Sequence, residues 1–268
     1  MRWEGATVVI TGASRGIGCA VAAAAAGRGA RLGLIARSAG ALEQQRQQLG
    51  GHTAVVVADL ADRHAVEPAW TALRRDLGPI DILVNNAGVG SWGPLVEVDD
   101  DEVERVLAVN LVAAMQLSRL ALPDMLGRRR GHIVNVGSVA GRLGAPFESV
   151  YSASKFGLAG FTEALAVEVG PFGVGVSMVN PGPVATDFAA TRGGRGYARR
   201  RPKPVSPERV AEAVITAVER GDLERSVPRW LRLAQAVRTV APAMYTAGVR
   251  RAVAPQLDEF RRRWADRP

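Results

Sequence analysis

A chain of 268 residues, 47% hydrophobic and 22% charged, is long enough to bury a full core and has the composition of a globular protein. Its single cysteine, Cys19, excludes a disulfide framework and gives secretion no support. The net charge of +8 invites a nucleic-acid or anionic-membrane partner, yet only two of the 34 basic residues, Lys155 and Lys203, are lysines. That scarcity points to an arginine-rich coding bias, and the basic residues gather in the final third without interleaved aromatics, so nucleic-acid binding is set aside.

The opening "MRWEGA" runs straight into the apolar "TVVI" with no basic-then-apolar leader, and no uncharged apolar run is long enough to span a bilayer. A cytoplasmic protein is the expectation. "ATVVIT" reads as a first strand, followed by the helical "GIGCAVAAAAAGRG". "ARLGLIA" and "TAVVVA" follow as strands, trailed by helical "ALEQQRQQL" and "AVEPAWTALRRDL". Three further strands, "DILVNNA", "GHIVNVGS" and "VGVSMVN", are separated by "DEVERVLAVNLVAAMQLSRLALPDML" and "SASKFGLAGFTEALAVEVG". Strands apolar on both faces, each followed by a helix, mean a parallel sheet covered on both sides: a doubly wound α/β fold in one domain.

Residues 182–207, rich in Gly, Pro and Arg, are too long for an ordinary connection and read as a lid or a disordered loop. After the helical "PERVAEAVITAVERG", residues 228–268 read as basic helical pieces broken by Pro242 and Pro255. The expected organisation is one domain over 1–227, the 182–207 loop included, with the 228–268 tail packed on it.

The first strand runs into "TGASRGIG", where Gly12, Gly16 and Gly18 open a helix. Glycines let the backbone approach a pyrophosphate, and the free N–H groups of the helix start hold its charge. Cys19 just inside that helix is expected to be a small packed side chain. After the second strand, where NAD-binding folds often carry a carboxylate for the ribose, stand Ala36 and Arg37. Arg37, with Arg15 from the glycine loop, could instead grip a 2′-phosphate, the alternative being two solvated loop arginines. Asp59 ends the third strand, placed either for an adenine amino group or as a turn residue. The amides of "NNAG" (residues 85–88) either buttress the cofactor or tie strands together, and Asn110, mid-helix, marks a kink, a bound water or a functional contact.

"YSASK" puts Tyr151 and Lys155 four apart on one helix face, and Ser138 ends the fifth strand at the edge where open α/β sheets bind ligands. A phenol is a weak acid with a pKa of about 10, and a neighbouring ammonium stabilises its phenolate. A compact ammonium with three donors also reaches ribose hydroxyls where a planar guanidinium fits less well, which explains a Lys in an arginine-rich chain.

In order and spacing, "TGASRGIG", "NNAG", Asn110, Ser138, "YSASK" and "NPGPVAT" (residues 180–186) resemble the short-chain dehydrogenase/reductase family over roughly residues 5 to 220. The resemblance implies a seven-stranded Rossmann-type sheet, a nicotinamide cofactor, a catalytic tetrad of Asn110, Ser138, Tyr151 and Lys155, and a homodimer or homotetramer assembled through the helices that hold Asn110 and Tyr151. It implies that Ser138 binds the carbonyl oxygen, Tyr151 donates the proton, and Lys155 lowers the Tyr pKa and binds ribose. Asn110 would hold a water linking Lys155 to solvent. The cofactor contacts it implies, joined to the reading above, run through Gly12, Ser14, Arg15, Gly16, Ile17, Gly18, Arg37, Asp59, Leu60, Asn86, Ala87, Gly88, Tyr151, Lys155, Pro181, Gly182, Val184 and Thr186. No metal is expected.

The cofactor expectation is NADP(H), and the reaction hydride transfer between it and a ketone or secondary alcohol. Family members that reduce acyl-carrier-protein thioesters usually end in a short strand with a glycine pair, which this tail lacks, so an apolar or bulky carbonyl is expected. Thioester reduction and a catalytically silent, cofactor-binding regulator remain the alternatives. Phe147, Phe188, Trp92 and Trp230 are candidates to line the pocket or belong to the core. Trp230, Leu233, Ala234, Val237 and Val240 form a stripe at helical spacing, read first as a cleft wall or subunit interface and second as a membrane-docking face.

Overall fold

A computed structural model describes residues 1–188 and 203–265. The lid expected over 182–207 therefore lies partly outside the described residues, its two ends within them.

Seven strands form one parallel sheet: β1 (Thr7–Thr11), β2 (Arg31–Ala36), β3 (Thr53–Val57), β4 (Ile82–Asn85), β5 (Gly131–Val136), β6 (Val174–Pro181) and β7 (Glu224–Val227). Their order is β3-β2-β1-β4-β5-β6-β7. The winding reverses between β1 and β4, so the connections that follow them leave to opposite faces of the sheet, the place where open α/β sheets bind ligands. On one face lie α1 (Gly16–Ala26), α2 (Ala39–Leu49) and α7 (Pro207–Arg220), which share a core with Val8, Ile10, Leu32 and Leu34. On the other lie α3 (Arg63–Leu77), α5 (Ala113–Gly127) and α6 (Ser149–Val169), packed on Val9, Ile35, Leu83 and Ile133. Alternate residues of one strand thus feed opposite cores, the reason the strands are apolar throughout.

α4 (Asp100–Leu107) runs into α5 through a π-helical turn, Ala108–Val112, that contains Asn110. The expected break in regularity is there, and it is one wide turn rather than a bend. The helical run Asp100–Gly127 is long and apolar enough by length and composition to cross a membrane. Here it is a sheet-packing helix, with Leu117, Ala121 and Met125 buried in the second core.

β7 was not among the strands read from apolar runs, although the family resemblance required a seventh. Its "ERSV" carries no apolar pattern and is made a strand by pairing with the open edge of β6. A short last strand therefore exists, without the glycine pair. The tail is helical as expected: α8 (Leu231–Val240), α9 (Pro242–Ala252) and α10 (Ala254–Ala265), with Pro242 opening α9 and Pro255 in the first turn of α10.

Candidate active site

The β1–α1 turn closes against the end of β4. Gly12 has φ +64°, and a Cβ there would stand 2.9 Å from the Ala87 Cα, so both backbone conformation and space demand glycine. A Cβ on Gly18 would come within 2.6 Å of the Asn86 amide nitrogen. The Thr11 hydroxyl accepts from the backbone N–H groups of Asn86 and Ala87, each at 2.9 Å. The Asn86 amide donates to the carbonyls of Thr11 and Gly12 at 2.9 and 3.3 Å. Asn86 is thus a tie between strand ends, the second of its two readings. Ser14 and Ile17 are half-buried in the same turn, and Arg15, exposed, precedes α1 without a side-chain cap. With no acidic side chain in that first turn, the N–H groups form a cradle for an anion.

At the β2 and β3 ends, Ala36 and Leu60 are buried and Arg37 is exposed. Asp59 accepts from the Ala61 N–H at 3.0 Å through Oδ1, while Oδ2 stands 3.9 Å from Arg37. Asp59 therefore has the geometry of a turn residue, and it also faces Arg37.

The tetrad expected from the sequence gathers on β5, α6 and the π-helical turn. Ser138 leaves β5 extended, and its Oγ accepts from the Ala140 N–H at 3.1 Å, so its own proton is left to donate. Tyr151 and Lys155 are 7% and 3% exposed on α6, with the ammonium 6.0 Å from the Tyr151 ring centroid. Lys155 Nζ donates to the Val136 carbonyl at 3.0 Å and would lie 3.6 Å from a Cβ on Gly88. Burial pushes its pKa down to about 8. The Asn110 amide brackets Val89, accepting from its N–H at 2.8 Å and donating to its carbonyl at 2.9 Å, and its second N–H reaches Ser154 at 3.0 Å. Ser154 in turn donates to the Tyr151 carbonyl at 2.7 Å. Both amide protons of Asn110 are thereby engaged, so a water on this side chain has only Oδ1 to approach. The side chain braces the Gly88 loop against α6.

A family model described as short chain dehydrogenase matches residues 6–194. The chain belongs to the short-chain dehydrogenase/reductase family. Dehydrogenase/reductase SDR family member 7B of Bos taurus is 34% identical over 257 residues, covering 90% of this chain and 79% of that protein. The 3-oxoacyl-(acyl-carrier-protein) reductase FabG of Escherichia coli is 36% identical over 188 residues, 70% of this chain and 77% of FabG. A short chain dehydrogenase/reductase from Burkholderia phymatum, solved with NAD, superposes with a TM-score of 0.81 at 28% identity, covering 89% of this chain and 94% of that one. One from Sphingobium yanoikuyae, solved with NADPH, gives 0.78 at 29%, covering 89% and 95%.

Aromatic rings lie beside Tyr151 and on the loop before α6 of this short-chain dehydrogenase/reductase. The Phe188 ring lies 5.8 Å from that of Tyr151, and Phe188 joins Ala140, Ala145 and Tyr151 in a small cluster. Phe147, at φ +64°, lies tilted against Trp92 at 5.9 Å and edge-on to Phe260 of α10 at 6.4 Å. Arg263 adds an ion pair to Glu97 at 3.4 Å, so α10 contacts both the loop before α4 and the loop before α6. Trp230 is not a core residue: it is 51% exposed at the start of α8. Pro181 ends β6, and the Gly182 N–H donates to the Val227 carbonyl at 2.8 Å. Val184 bridges Val205, joining the two described ends of the 182–207 segment, and Thr186 Cγ2 would touch a Cβ on Gly16 at 3.2 Å, which sets Thr186 over the cradle.

Two polar networks support the site: one is the strand tie that Asn85 of "NNAG" offers, and the other centres on Arg142. Asn85 donates to Asn135 at 2.9 Å and Asn135 to Thr162 at 2.9 Å, tying β4, β5 and α6 beneath the site. Arg142, four residues past Ser138, pairs with Glu163 at 2.6 Å and Glu224 at 2.9 Å, and Glu224 accepts from Asn180 at 2.8 Å. "NNAG" and "NPGPVAT" marked two of these asparagines, but Glu224 had no motif to mark it.

Proposed function

We propose that this short-chain dehydrogenase/reductase is an NADP(H)-dependent carbonyl reductase or alcohol dehydrogenase acting on an apolar or bulky ketone or its secondary alcohol. The observation that carries the reading is the buried Tyr151–Lys155 pair beside the glycine cradle, with Ser138 at the adjoining strand end. The residues present fit the cofactor: a glycine turn that packs tightly on Ala87 at the end of β4, uncapped N–H groups for a pyrophosphate, and a buried ammonium beside Gly88 for a ribose.

When bound, the nicotinamide supplies or takes the hydride. Ser138 donates its free proton to the carbonyl oxygen. Tyr151 passes its own proton to that oxygen in reduction and takes it back in oxidation. Lys155, held by Val136, favours the phenolate and keeps donors for ribose hydroxyls. Asn110 keeps the loop behind Lys155 fixed through Val89. Phe188, Phe147 and Trp92 supply an apolar wall, the reason for a bulky substrate.

The preference for NADP(H) rests on Ala36, which offers no carboxylate to repel a 2′-phosphate, and on exposed Arg37 and Arg15. A second reading, reduction of a 3-oxoacyl thioester, is favoured by the 36% identity to FabG and by the short strand β7. Following NADPH oxidation against ketones, quinones, steroids and acyl thioesters distinguishes them. Turnover of the ketone class supports the first reading, turnover confined to thioesters supports the second, and none across the panel overturns both. Assembly as a homodimer or homotetramer through α5 and α6 belongs to the same proposal and is tested by sedimentation velocity.

A further inference from the structure

α8 wears its amphipathic pattern inside out. Leu231 is buried beside Gly182, and the polar side chains around it turn toward the protein. Arg232 donates to the Glu224 carbonyl at 2.9 Å, and Arg238 donates to the Arg142 carbonyl at 3.0 Å with its guanidinium 5.3 Å from the Phe156 ring. The apolar stripe looks the other way. Trp230, Leu233, Val237 and Val240 are 51, 69, 38 and 84% exposed, and Met244 on α9 continues the stripe at 62%. A helix that helps to build a core buries such a stripe and sends its arginines outward.

The charge of the tail that carries the stripe is one-sided. Arg229, Arg250, Arg251 and the run Arg261, Arg262 and Arg263 are all exposed, whereas Asp258 and Glu259 are the only acidic residues of the tail among the described residues. We propose that this face docks on an anionic lipid bilayer, with α8 lying in the interfacial plane, its apolar stripe at the acyl boundary and the arginines on headgroup phosphates. A two-fold contact with a second copy would set the same arginine-rich surface against itself, whereas a negative bilayer complements it. Trp230, at one end of the stripe, is of the residue type that settles at headgroup depth. Leu231, against Gly182, puts the docked helix beside the β6 end of the candidate site, the side from which a lipid-dissolved carbonyl would arrive.

The test is co-sedimentation of the full chain with vesicles of phosphatidylcholine alone, or with about one-third phosphatidylglycerol, at physiological salt. The expected result is at least about tenfold more protein bound to the anionic vesicles. Leu233→Ser with Val237→Ser should remove that binding without altering cofactor affinity. Arg250→Gln with Arg251→Gln reads the same contact through its charges, should the apolar variant fail to fold. Wild-type protein left in the supernatant by both vesicles overturns the proposal, as does equal binding to both. A self-association that the serine variant abolishes, in a protein that ignores vesicles, would make the stripe a subunit interface and overturn it too.

Discussion

At the nucleotide end of the site the protein offers backbone N–H groups and exposed charge; at the catalytic end it offers side chains taken out of water. Arg37 and Asp59 have side chains 60% and 50% exposed and stand 3.9 Å apart. Lys155 and Asn110 are 3% and 1% exposed, with hydrogen bonds of 2.8 to 3.0 Å to Val89, Ser154 and Val136. Exposed charges are hydrated and screened, so each contributes little and several can stand in for one another. Buried ones have no substitute, because removing a partner leaves the rest unsatisfied. Changes at the catalytic end should therefore cost orders of magnitude, and those at the nucleotide end should redistribute preference.

The sharpest break is expected from Tyr151→Phe. It removes the proton donor while leaving the ring beside Phe188, so turnover should fall about 10²–10⁴-fold with cofactor affinity nearly unchanged. Near-normal kcat would take Tyr151 out of the mechanism. Lys155→Arg keeps a positive charge but asks a wider, planar group to fit between Val136 and Gly88. Activity should drop at least about tenfold, with cofactor affinity weakened as well, and a fully active variant would show that the ammonium is incidental.

Buried charge also governs stability away from the site. His132 on β5 contacts Ser177 at 2.8 Å, and the Ser177 hydroxyl donates to the Asp222 carbonyl, so the imidazole is the donor, through Nε2–H. Burial, with a smaller contribution from the N-terminal charge, lowers its pKa from 6.5 to about 4. Between those values the unfolded chain binds a proton that the folded chain refuses. Stability should therefore fall as pH drops from 6.5 toward 4, by roughly 3 kcal/mol over the whole window. Urea unfolding of wild type and His132→Gln at pH 7 and pH 5 checks this: the variant should lose less on acidification, and equal losses would remove His132 as the cause.

The same contrast explains what was legible in the sequence. Six strands announced themselves because a strand buried on both faces has no polar alternation to confuse it. The glycine turn and the Tyr151–Lys155 spacing were legible because chemistry needs those residue types at those separations. Glu224 and β7 were not, since "ERSV" becomes a strand only by meeting the edge of β6, and Glu224 matters only once folding brings Arg142 and Asn180 to it. α7 and α8 are both amphipathic in sequence, yet α7 buries Val210, Val214 and Val218 while α8 exposes Leu233, Val237 and Val240. Periodicity marks a stripe but does not say what covers it.

At the nucleotide end the effects should be smaller and should change sign between cofactors. A hydrogen bond to a charged group contributes about 1.5–3 kcal/mol, and discounting for the exposure of Arg37 leaves a preference for NADPH of about tenfold. Ala36→Asp with Arg37→Leu should reverse it without lowering kcat with the favoured cofactor, since the tetrad is untouched. Comparing kcat/KM for both cofactors, in both proteins and at one salt concentration, decides the point. Wild-type preference for NADH sinks the assignment, and NADPH preference that survives the double change moves it off Arg37.

The smallest effect separates the two roles of Asp59. Its Oδ1 holds the Ala61 N–H, which an asparagine would keep, and its negative charge stands near Arg37, which an asparagine would release. If the carboxylate merely competes with a 2′-phosphate for that guanidinium, Asp59→Asn should lower KM for NADPH by up to about fivefold and leave NADH unchanged, as befits an exposed pair worth about 0.2–1 kcal/mol. Raising the salt should shrink the gain, because both partners are open to solvent. If instead the carboxylate accepts from an adenine amino group, the variant should weaken NADPH and NADH by the same factor, since both carry the same base. The direction of the change, more than its size, tells which neighbour the carboxylate serves.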